Sequence, residues 1–352
     1  MFDTSLREAG ERALLALGEL RAIIPSLPNP RLITEPFLRR EAVLSSRIEG
    51  THTELEGLYL YEAARSDQPD MTEDEKDARE VSNYVVALHY GIARLQELPI
   101  CNRLLKEMHE RLLANVADDR GRYKGPGKFR QAQAYIGSQD ILAARYVAPP
   151  PEEVDRLMGE LERYVNAEST LPTLIRIALV HYQFEAIHPF ADGNGRVGRL
   201  LISLMLAATG LLPQPLLYLS AYFERNKTEY VQRMWEISRS GAWEPWLAFF
   251  LRGVDVEAQD ATGRARSLLA LREQYRNRLQ SDKAASSLLT LIDRLFEWPV
   301  LSVNDARDRL GMSYEGARKN VDKLVEHGIL VEVTGNYRNR LYLARPITAL
   351  MS

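Results

Sequence analysis

The sequence contains a single cysteine, Cys101, among 352 residues, so it can build neither an internal disulfide framework nor a multi-cysteine zinc site. Set in Leu98-Pro99-Ile100-Cys101 ahead of a helical pattern, it reads as a small buried hydrophobe rather than a reactive thiol. Charge of one sign is also scarce. The formal net charge of −3 is too small for whole-protein attraction to nucleic acid or acidic lipid, although one domain could still be locally basic. No apolar run reaches the ~20 residues needed to span a bilayer, and acids near the N-terminus stand where a secretory signal has its basic region. These absences imply a cytoplasmic chain with no membrane partner. What is present, 45% hydrophobic and 26% charged residues, suits an ordinary globular protein long enough for two or three domains.

Most of the chain has helical periodicity. Residues 5–23 alternate charged and apolar groups until Pro25, Pro28 and Pro30 interrupt them. A second helix is expected to start after Pro36, run through Ile48 and stop at Gly50. The acidic stretch 66–80 reads as a solvated loop leading into the next helix, and 103–115 sets Leu104, Leu105, Met108, Leu112 and Leu113 on one helical face. From Gly121 to Pro151 the texture changes to glycines, β-branched and aromatic residues. There, Ala134-Tyr135-Ile136-Gly137 and Ala144-Arg145-Tyr146-Val147 predict a β-hairpin joined through Ser138-Gln139-Asp140. The strongly apolar runs 172–187 and 196–208 are expected as central core helices, and 256–283 as a polar connecting helix. The fold class is therefore mostly α, with one small hairpin.

The short joint between the two apolar runs is chemically dense: His188-Pro189-Phe190-Ala191-Asp192-Gly193-Asn194-Gly195-Arg196-Val197-Gly198-Arg199. Pro189 must end the preceding helix, because it lacks an amide donor and clashes with the turn before it. A glycine-rich turn feeding a helix presents unpaired amides at the positive end of the helix dipole, which favours phosphate. Arg196 and Arg199, three apart on the first turn, can lean toward one anion, and their planar forks suit phosphate oxygens. Asp192 supplies one hard carboxylate suited to Mg2+ held mainly by phosphate oxygens and water. His188 is a candidate general base, with an unperturbed pKa of about 6.5. An Asp-Gly-Asn-Gly turn alone also fits a capped helix–loop–helix joint; the histidine before it and the arginines after it do not. It is not a Walker loop, since no Lys-Ser or Lys-Thr follows the glycines.

This stretch resembles the Fic-domain signature HPFxDGNGRxGR at every fixed position, with Ala191 and Val197 in the free ones. Leu174 to Ile187, with His181, Phe184 and Glu185, resembles the segment before the signature. Gly127-Lys128-Phe129-Arg130-Gln131, the hairpin and Pro149-Pro150-Pro151 resemble the family's flap region. Leu217-Tyr218-Leu219-Ser220-Ala221-Tyr222-Phe223 and Trp243-Glu244-Pro245-Trp246 resemble its later segments. The likeness covers roughly 35–255. It implies transfer of AMP from ATP to a Ser, Thr or Tyr hydroxyl of a target protein, with Mg2+ as cofactor. His188 would be the base and Asp192 the metal ligand. Gly193, Asn194 (with its side chain) and Gly195 would form the anion hole, Arg196 would support pyrophosphate and Arg199 would bind the γ-phosphate. The hairpin, at Ile136, Gly137 and Tyr146, would dock an extended target segment by strand addition. Phe190 reads as a core anchor and His181 as a structural hydrogen-bonding histidine.

Upstream, Ser45-Ser46-Arg47-Ile48-Glu49-Gly50 is similar to the family's inhibitory pattern [S/T]xxxE[G/N]. It implies that Glu49, with Ser45 one turn earlier, occupies on Arg199 the place the γ-phosphate needs. Unit charges about 4 Å apart attract by about 4 kcal/mol at an effective dielectric of about 20. The same glutamate could instead position a water for AMP removal, and the sequence leaves both directions open. Self-modification, homodimer formation and the identity of the target protein stay open as well.

The final residues form a separate pattern: a helix over 286–297, Ser302 to Arg307, the Gly311 turn, a helix from Ser313 to His327, and two strands around Gly335-Asn336. This succession describes a winged helix-turn-helix. Arg318, Lys319 and Lys323 on its second helix, with Arg338 or Arg340 on the wing, would face DNA. Glu315, Asp322 and Glu326 are interspersed, and ten basic against eight acidic residues over 283–345 leave only +2. DNA binding, protein contact and dimerisation stay open, as does a regulator in which the core only senses nucleotide. The expected organisation is 1–95, a helical region with the inhibitory motif; 96–255, the Fic core; 256–283, a connecting helix; and 284–352, the winged helix domain.

Overall fold

The computed structural model describes residues 4–26, 29–64, 72–116, 125–137, 140–281, 286–335 and 339–352. The chain starts with α1 (Thr4–Ile23), α2 (Arg31–Ile48), α3 (Leu55–Ala64), α4 (Glu73–Arg94) and α5 (Asn102–Leu112). A hairpin of β1 (Tyr135–Ile136) and β2 (Tyr146–Val147) follows, then α6 (Pro151–Asn166), α7 (Thr173–Ile187) and α8 (Asn194–Ala208). Next come α9 (Ser220–Arg225), α10 (Lys227–Ser240) and α11 (Trp243–Ser281). The C-terminal region holds α12 (Ser286–Glu297), β3 (Val300–Leu301), α13 (Val303–Leu310), α14 (Tyr314–Glu326), β4 (Val331–Glu332), β5 (Tyr342–Leu343) and α15 (Arg345–Met351). The fold is mostly helical with a small antiparallel hairpin, as the patterning predicts.

α7 and α8 pack against each other at the centre. α7 buries Leu174, Ile177, Val180, Phe184 and Ile187 among others, and α8 buries nearly every residue from Asn194 to Leu206. Helices apolar on all sides belong inside a bundle. α4 and α5 pack together and against α8, α2 packs on α4 and α9, and α1 lies along α11. The hairpin pairs Tyr135 with Val147 and Ile136 with Tyr146. Its Tyr146 hydroxyl donates to the Ala186 carbonyl at 2.7 Å, and Trp235 Nε1 on α10 donates to the Arg145 carbonyl at 3.2 Å. The hairpin is thus pinned on both sides, above the joint between α7 and α8.

Three boundaries differ from the expectation. α2 begins at Arg31 and carries Pro36 inside it. A proline near the N-terminus removes one backbone bond, and burial of Leu32, Ile33 and Phe37 offsets that loss. The acidic stretch is not loop throughout: from Glu73 it is helix, because Thr72 caps α4 in a capping box with Glu75. The polar stretch from 256 continues a helix that starts at Trp243, where Pro245 falls in the first turn and forfeits no intrahelical bond. Cys101 is half-buried at the start of α5. Ser138, Gln139, Asn336 and Arg338, the last two in the C-terminal turn and wing, lie outside the described residues.

In the C-terminal region, Ser302 and Ser313 cap α13 and α14, and Gly311, at φ 61°, ends α13. The strands form a three-stranded antiparallel sheet in the order β3-β5-β4. β3 and α15 were not legible in the sequence. No helix among the described residues is long and apolar enough to cross a membrane.

Trp246 fixes α11 to the centre: it is fully buried, and its Nε1 donates to the Ala178 carbonyl of α7 at 3.1 Å. Trp246→Ala should lower stability by about 3–5 kcal/mol, read from denaturant unfolding. A loss below about 1 kcal/mol would show that this contact does not anchor α11.

Candidate active site

The joint between α7 and α8 is held by its own backbone demands. His188 ends α7 in the left-handed region at φ 51°, an uncommon conformation for a residue with a Cβ. Arg130 stabilises that end, donating from Nε to the His188 carbonyl at 2.8 Å and from Nη2 to the carbonyls of Ile187 and Pro149. A guanidinium on the last carbonyls of a helix satisfies acceptors that the helix cannot. Phe190 is fully buried and stacks on His109 of α5 at 3.9 Å between ring centroids. Asn194 then closes the turn: its Oδ1 accepts from the Phe190 amide and its Nδ2 donates to the Phe190 carbonyl, both at 2.8 Å.

His109 braces the loop from below. Its Nδ1 accepts from the Gly127 amide at 2.9 Å, so its Nε2 is the protonated nitrogen that donates to the Asp192 carbonyl at 3.0 Å. Burial pushes its pKa down to about 4, so the ring stays neutral and this tautomer persists at neutral pH. Gly193, at φ 74°, precedes α8, where the first intrahelical bond runs from the Val197 amide to the Gly193 carbonyl. The amides of Asn194, Gly195 and Arg196 therefore stand at the positive end of the α8 dipole. The Asn194 side chain, expected in the anion hole, is turned inward and engaged on Phe190, which leaves its backbone amide at the start of α8.

The two arginines are both buried, and each has an acidic partner. Arg199 donates through Nε to Ser45 Oγ at 2.8 Å, and through Nη2 to the Ser45 carbonyl at 2.9 Å and Glu49 Oε1 at 2.7 Å. Ser45 and Glu49 are four apart, so α2 presents them on one face. Burial alone would lower the Arg199 pKa, but Glu49 and Tyr230 outweigh it and raise it. Burial alone would raise the Glu49 carboxyl, but Arg199, with Arg196 and Lys227 behind it, holds it below the usual carboxylate range. The Glu49 side chain nevertheless remains 40% exposed, so it lines an open cleft rather than an enclosed core. A Cβ on Gly195 would come within 2.2 Å of Glu49 Oε1; only glycine lets this carboxylate lie against the N-terminus of α8. Arg196 pairs instead with Glu80 of α4, Nη1 to Oε2 at 3.1 Å, and its Nη2 lies 3.9 Å from Asp192 Oδ1.

The cleft has a volume of about 580 Å3 and brings together Glu49, Ile136, Gly137, Tyr146, His188, Gly195 and Arg199. Ser45, Asp192, Gly193, Asn194 and Arg196 do not line it and stand behind or beside it. His188 Nδ1 is 3.3 Å from the Glu185 carbonyl, and burial keeps its pKa below 6.5. No group of three or more His, Cys, Asp and Glu converges among the described residues. That donor set suits no all-protein metal cage but leaves Asp192 as a single carboxylate.

Several participants escaped the sequence reading. Glu80 sat in the acidic stretch read as solvated, His109 on an apolar helical face, and Lys227 in no motif. Lys227 Nζ donates to the Ile48 carbonyl at 2.5 Å, at the end of α2. Glu185 was noted without a role. Its carboxyl is buried in the cleft, Oε1 has no hydrogen-bond partner, and burial pushes its pKa up to about 8 against the pull of Arg199. His181 bonds the Gly198 carbonyl through Nδ1 at 3.1 Å and the Tyr230 hydroxyl through Nε2 at 2.7 Å, with burial lowering its pKa to about 3.

Comparison with known proteins agrees with this arrangement. Residues 7–93 match the family model described as Fic/DOC family N-terminal, and residues 99–206 match Fic/DOC family. Protein adenylyltransferase Fic of Drosophila melanogaster is 36% identical over 137 residues, 38% of this chain and 25% of that protein; the Drosophila sechellia protein matches to the same extent. The match thus spans about a quarter of the length of these curated relatives. Among solved structures, a Fic family protein from Desulfovibrio desulfuricans G20 aligns over 98% of this chain and 97% of its own, at TM-score 0.59 and 20% identity. Fic-1 from C. elegans aligns over 73% of each chain, at TM-score 0.57 and 21% identity. At those identities the likeness is one of fold.

Removing Glu80 would leave Arg196 buried without its carboxylate. Glu80→Ala should destabilise the protein by about 3–5 kcal/mol in denaturant unfolding, because a buried charge loses its partner. A change within about 0.5 kcal/mol would mean that the pair is solvated after all.

Proposed function

We propose that this chain, which carries the N-terminal and core domains of the Fic/DOC family, transfers AMP from ATP to a hydroxyl of a target protein and is held inactive at rest by Glu49. The observation that carries the reading is the 2.7 Å ion pair of Glu49 with Arg199, set against the amides at the start of α8. A carboxylate there imitates the terminal phosphate of a nucleotide in charge and in hydrogen-bond geometry. While it stays, Nη2 of Arg199 is not free for a γ-phosphate.

His188 is the general base. With Nδ1 turned to the Glu185 carbonyl, the lone pair on Nε2 is the one available to the incoming Ser, Thr or Tyr hydroxyl. The hydroxyl gives its proton to Nε2 as its oxygen bonds to the α-phosphorus, and the bond to the bridging oxygen of pyrophosphate breaks. The amides of Asn194 to Arg196 and the α8 dipole stabilise charge on the α-phosphate oxygens. Arg196, held in place by Glu80, adds positive charge where pyrophosphate departs, and Arg199 orients the nucleotide through its γ-phosphate. Asp192 would hold Mg2+, which neutralises phosphate charge when bound. The hairpin at Ile136, Gly137 and Tyr146 offers backbone for an extended target segment, and Ile136 is exposed there.

We read residues 284–352 as a winged helix-turn-helix, a reading supported by three helices followed by a β-hairpin and by the sheet order β3-β5-β4. Arg318, Lys319 and Lys323 are exposed on α14, but so are Glu315, Asp322 and Glu326, so charge does not select DNA as its partner.

Incubation with α-32P-ATP and Mg2+ tests the main reading. Label should appear on protein with Glu49→Gly, stay low with the wild type and vanish with Glu49→Gly/His188→Ala. Equal labelling of wild type and Glu49→Gly would overturn the inhibitory role, and release of AMP from a labelled target would reassign the direction. The pH dependence follows from His188. Its pKa is lowered, so the neutral, proton-accepting form persists below pH 6.5. In Glu49→Gly, the acid limb of kcat/KM should therefore lie below pH 6.5. A limb at or above pH 7 would point to another base.

A further inference from the structure

α2 is gripped at both ends, and the grip at its N-terminal half comes from the C-terminal region. Asn29 Nδ2, just before α2, donates to Glu297 Oε1 at 2.5 Å, at the end of α12. Two turns into the helix, Arg39 is 4% exposed, and its guanidinium lies over the Trp298 ring at 4.3 Å and beside Tyr59 at 5.6 Å. Trp298 meets Tyr59 of α3 edge-on, with centroids 5.8 Å apart. The charge of Arg39 is met by Glu35 Oε2 at 2.7 Å and Glu62 Oε2 at 2.8 Å. With Nη1 and Nε committed to carboxylates and its face on an indole, Arg39 has one packing arrangement, and α2 is fixed with it.

A helix transmits that constraint along its axis. Arg39 and Glu49 lie ten residues apart, about 15 Å at 1.5 Å per residue. A cavity of about 510 Å3 separates His52, Thr53 and Glu54 from Thr334 and Leu341 of the C-terminal sheet. The last turn of α2 is held by Lys227 at the Ile48 carbonyl and by Arg199 at Ser45 and Glu49. The clamp at Trp298 acts on the same helix from its N-terminal half.

We propose that Trp298 is a positioning residue for Glu49: by clamping Arg39, the C-terminal domain sets α2 so that Glu49 reaches Arg199. This rests on the reading of Glu49 as the inhibitory group. Loss of the Trp298 face should loosen α2 and raise activity, whereas a merely structural role would lower it or leave it unchanged.

The test uses the full chain with Trp298→Ala, Trp298→Phe and Asn29→Ala, each alone and combined with Glu49→Gly. Self-labelling by α-32P-ATP is read together with hydrogen exchange over residues 44–49. Trp298→Ala should raise labelling about fivefold over wild type, the scale of one lost cation–π contact, and should leave the Glu49→Gly rate unchanged. Trp298→Phe, which keeps an aromatic face for Arg39, should restore wild-type labelling. Exchange at 44–49 should quicken in Trp298→Ala. Unchanged exchange there, or labelling at or below wild type while Glu49→Gly is active, overturns the proposal. If Trp298→Ala does not fold, Asn29→Ala carries the same expectations. If Glu49→Gly itself gains nothing, the inhibitory reading fails, and the exchange measurement still decides whether Trp298 positions α2.

Discussion

A guanidinium 3% exposed must find anions or cost several kcal/mol, and Arg199 is in that position at the head of α8. α2 and its capping residue supply what it needs: the hydroxyl and carbonyl of Ser45 and the carboxylate of Glu49. On the proposed reading, a nucleotide replaces the carboxylate but not the helix. Ser45 sits a turn deeper and is fully buried, whereas the Glu49 side chain keeps 40% exposure at the cleft. The two contacts on Arg199 therefore differ in depth and exposure. On the same proposed reading, Ser45 anchors the helix on Arg199 while Glu49 competes with phosphate. Exposure also moderates the pair, since water screens a half-open ion pair more than an enclosed one. A contact of that kind can hold a site closed and still yield to a ligand.

The rest of the site is arranged so that the loop need not rearrange when an anion arrives. His188 is forced into a left-handed conformation and held by Arg130, and the carbonyl of Asp192 is bonded by His109. Asn194 uses its whole side chain to close the turn. Each of these groups spends its polar atoms on backbone, and Gly195, at the start of α8, faces the cleft. Preorganisation of this sort is what makes fixed dipoles effective against developing charge.

Legibility in the sequence followed whether a residue's role is local. The proline after His188, the glycines and the arginines act within one turn of chain, so their spacing could be read directly. The two central helices were readable from apolar content alone. Pairing across the chain was not. Glu80 and Arg196 are 116 positions apart, and nothing in an acidic stretch marks one glutamate as buried. His109 falls on a face otherwise filled by leucines, and its role appears only once Phe190 and Gly127 surround it. Asn194 was expected to point at a ligand because of its place in the signature; its side chain instead satisfies Phe190, a demand set by the shape of the turn. β3 was missed because two residues, Val300 and Leu301, carry no periodicity until Leu343 and Tyr342 pair with them.

The central claim, that Glu49 stands where a γ-phosphate belongs, is tested most directly by calorimetric binding of ATP and of AMP to wild type and Glu49→Gly. The account predicts that the substitution tightens ATP and leaves AMP almost unchanged, because only the triphosphate reaches Arg199. An equal gain for both nucleotides, or none for ATP, would contradict it.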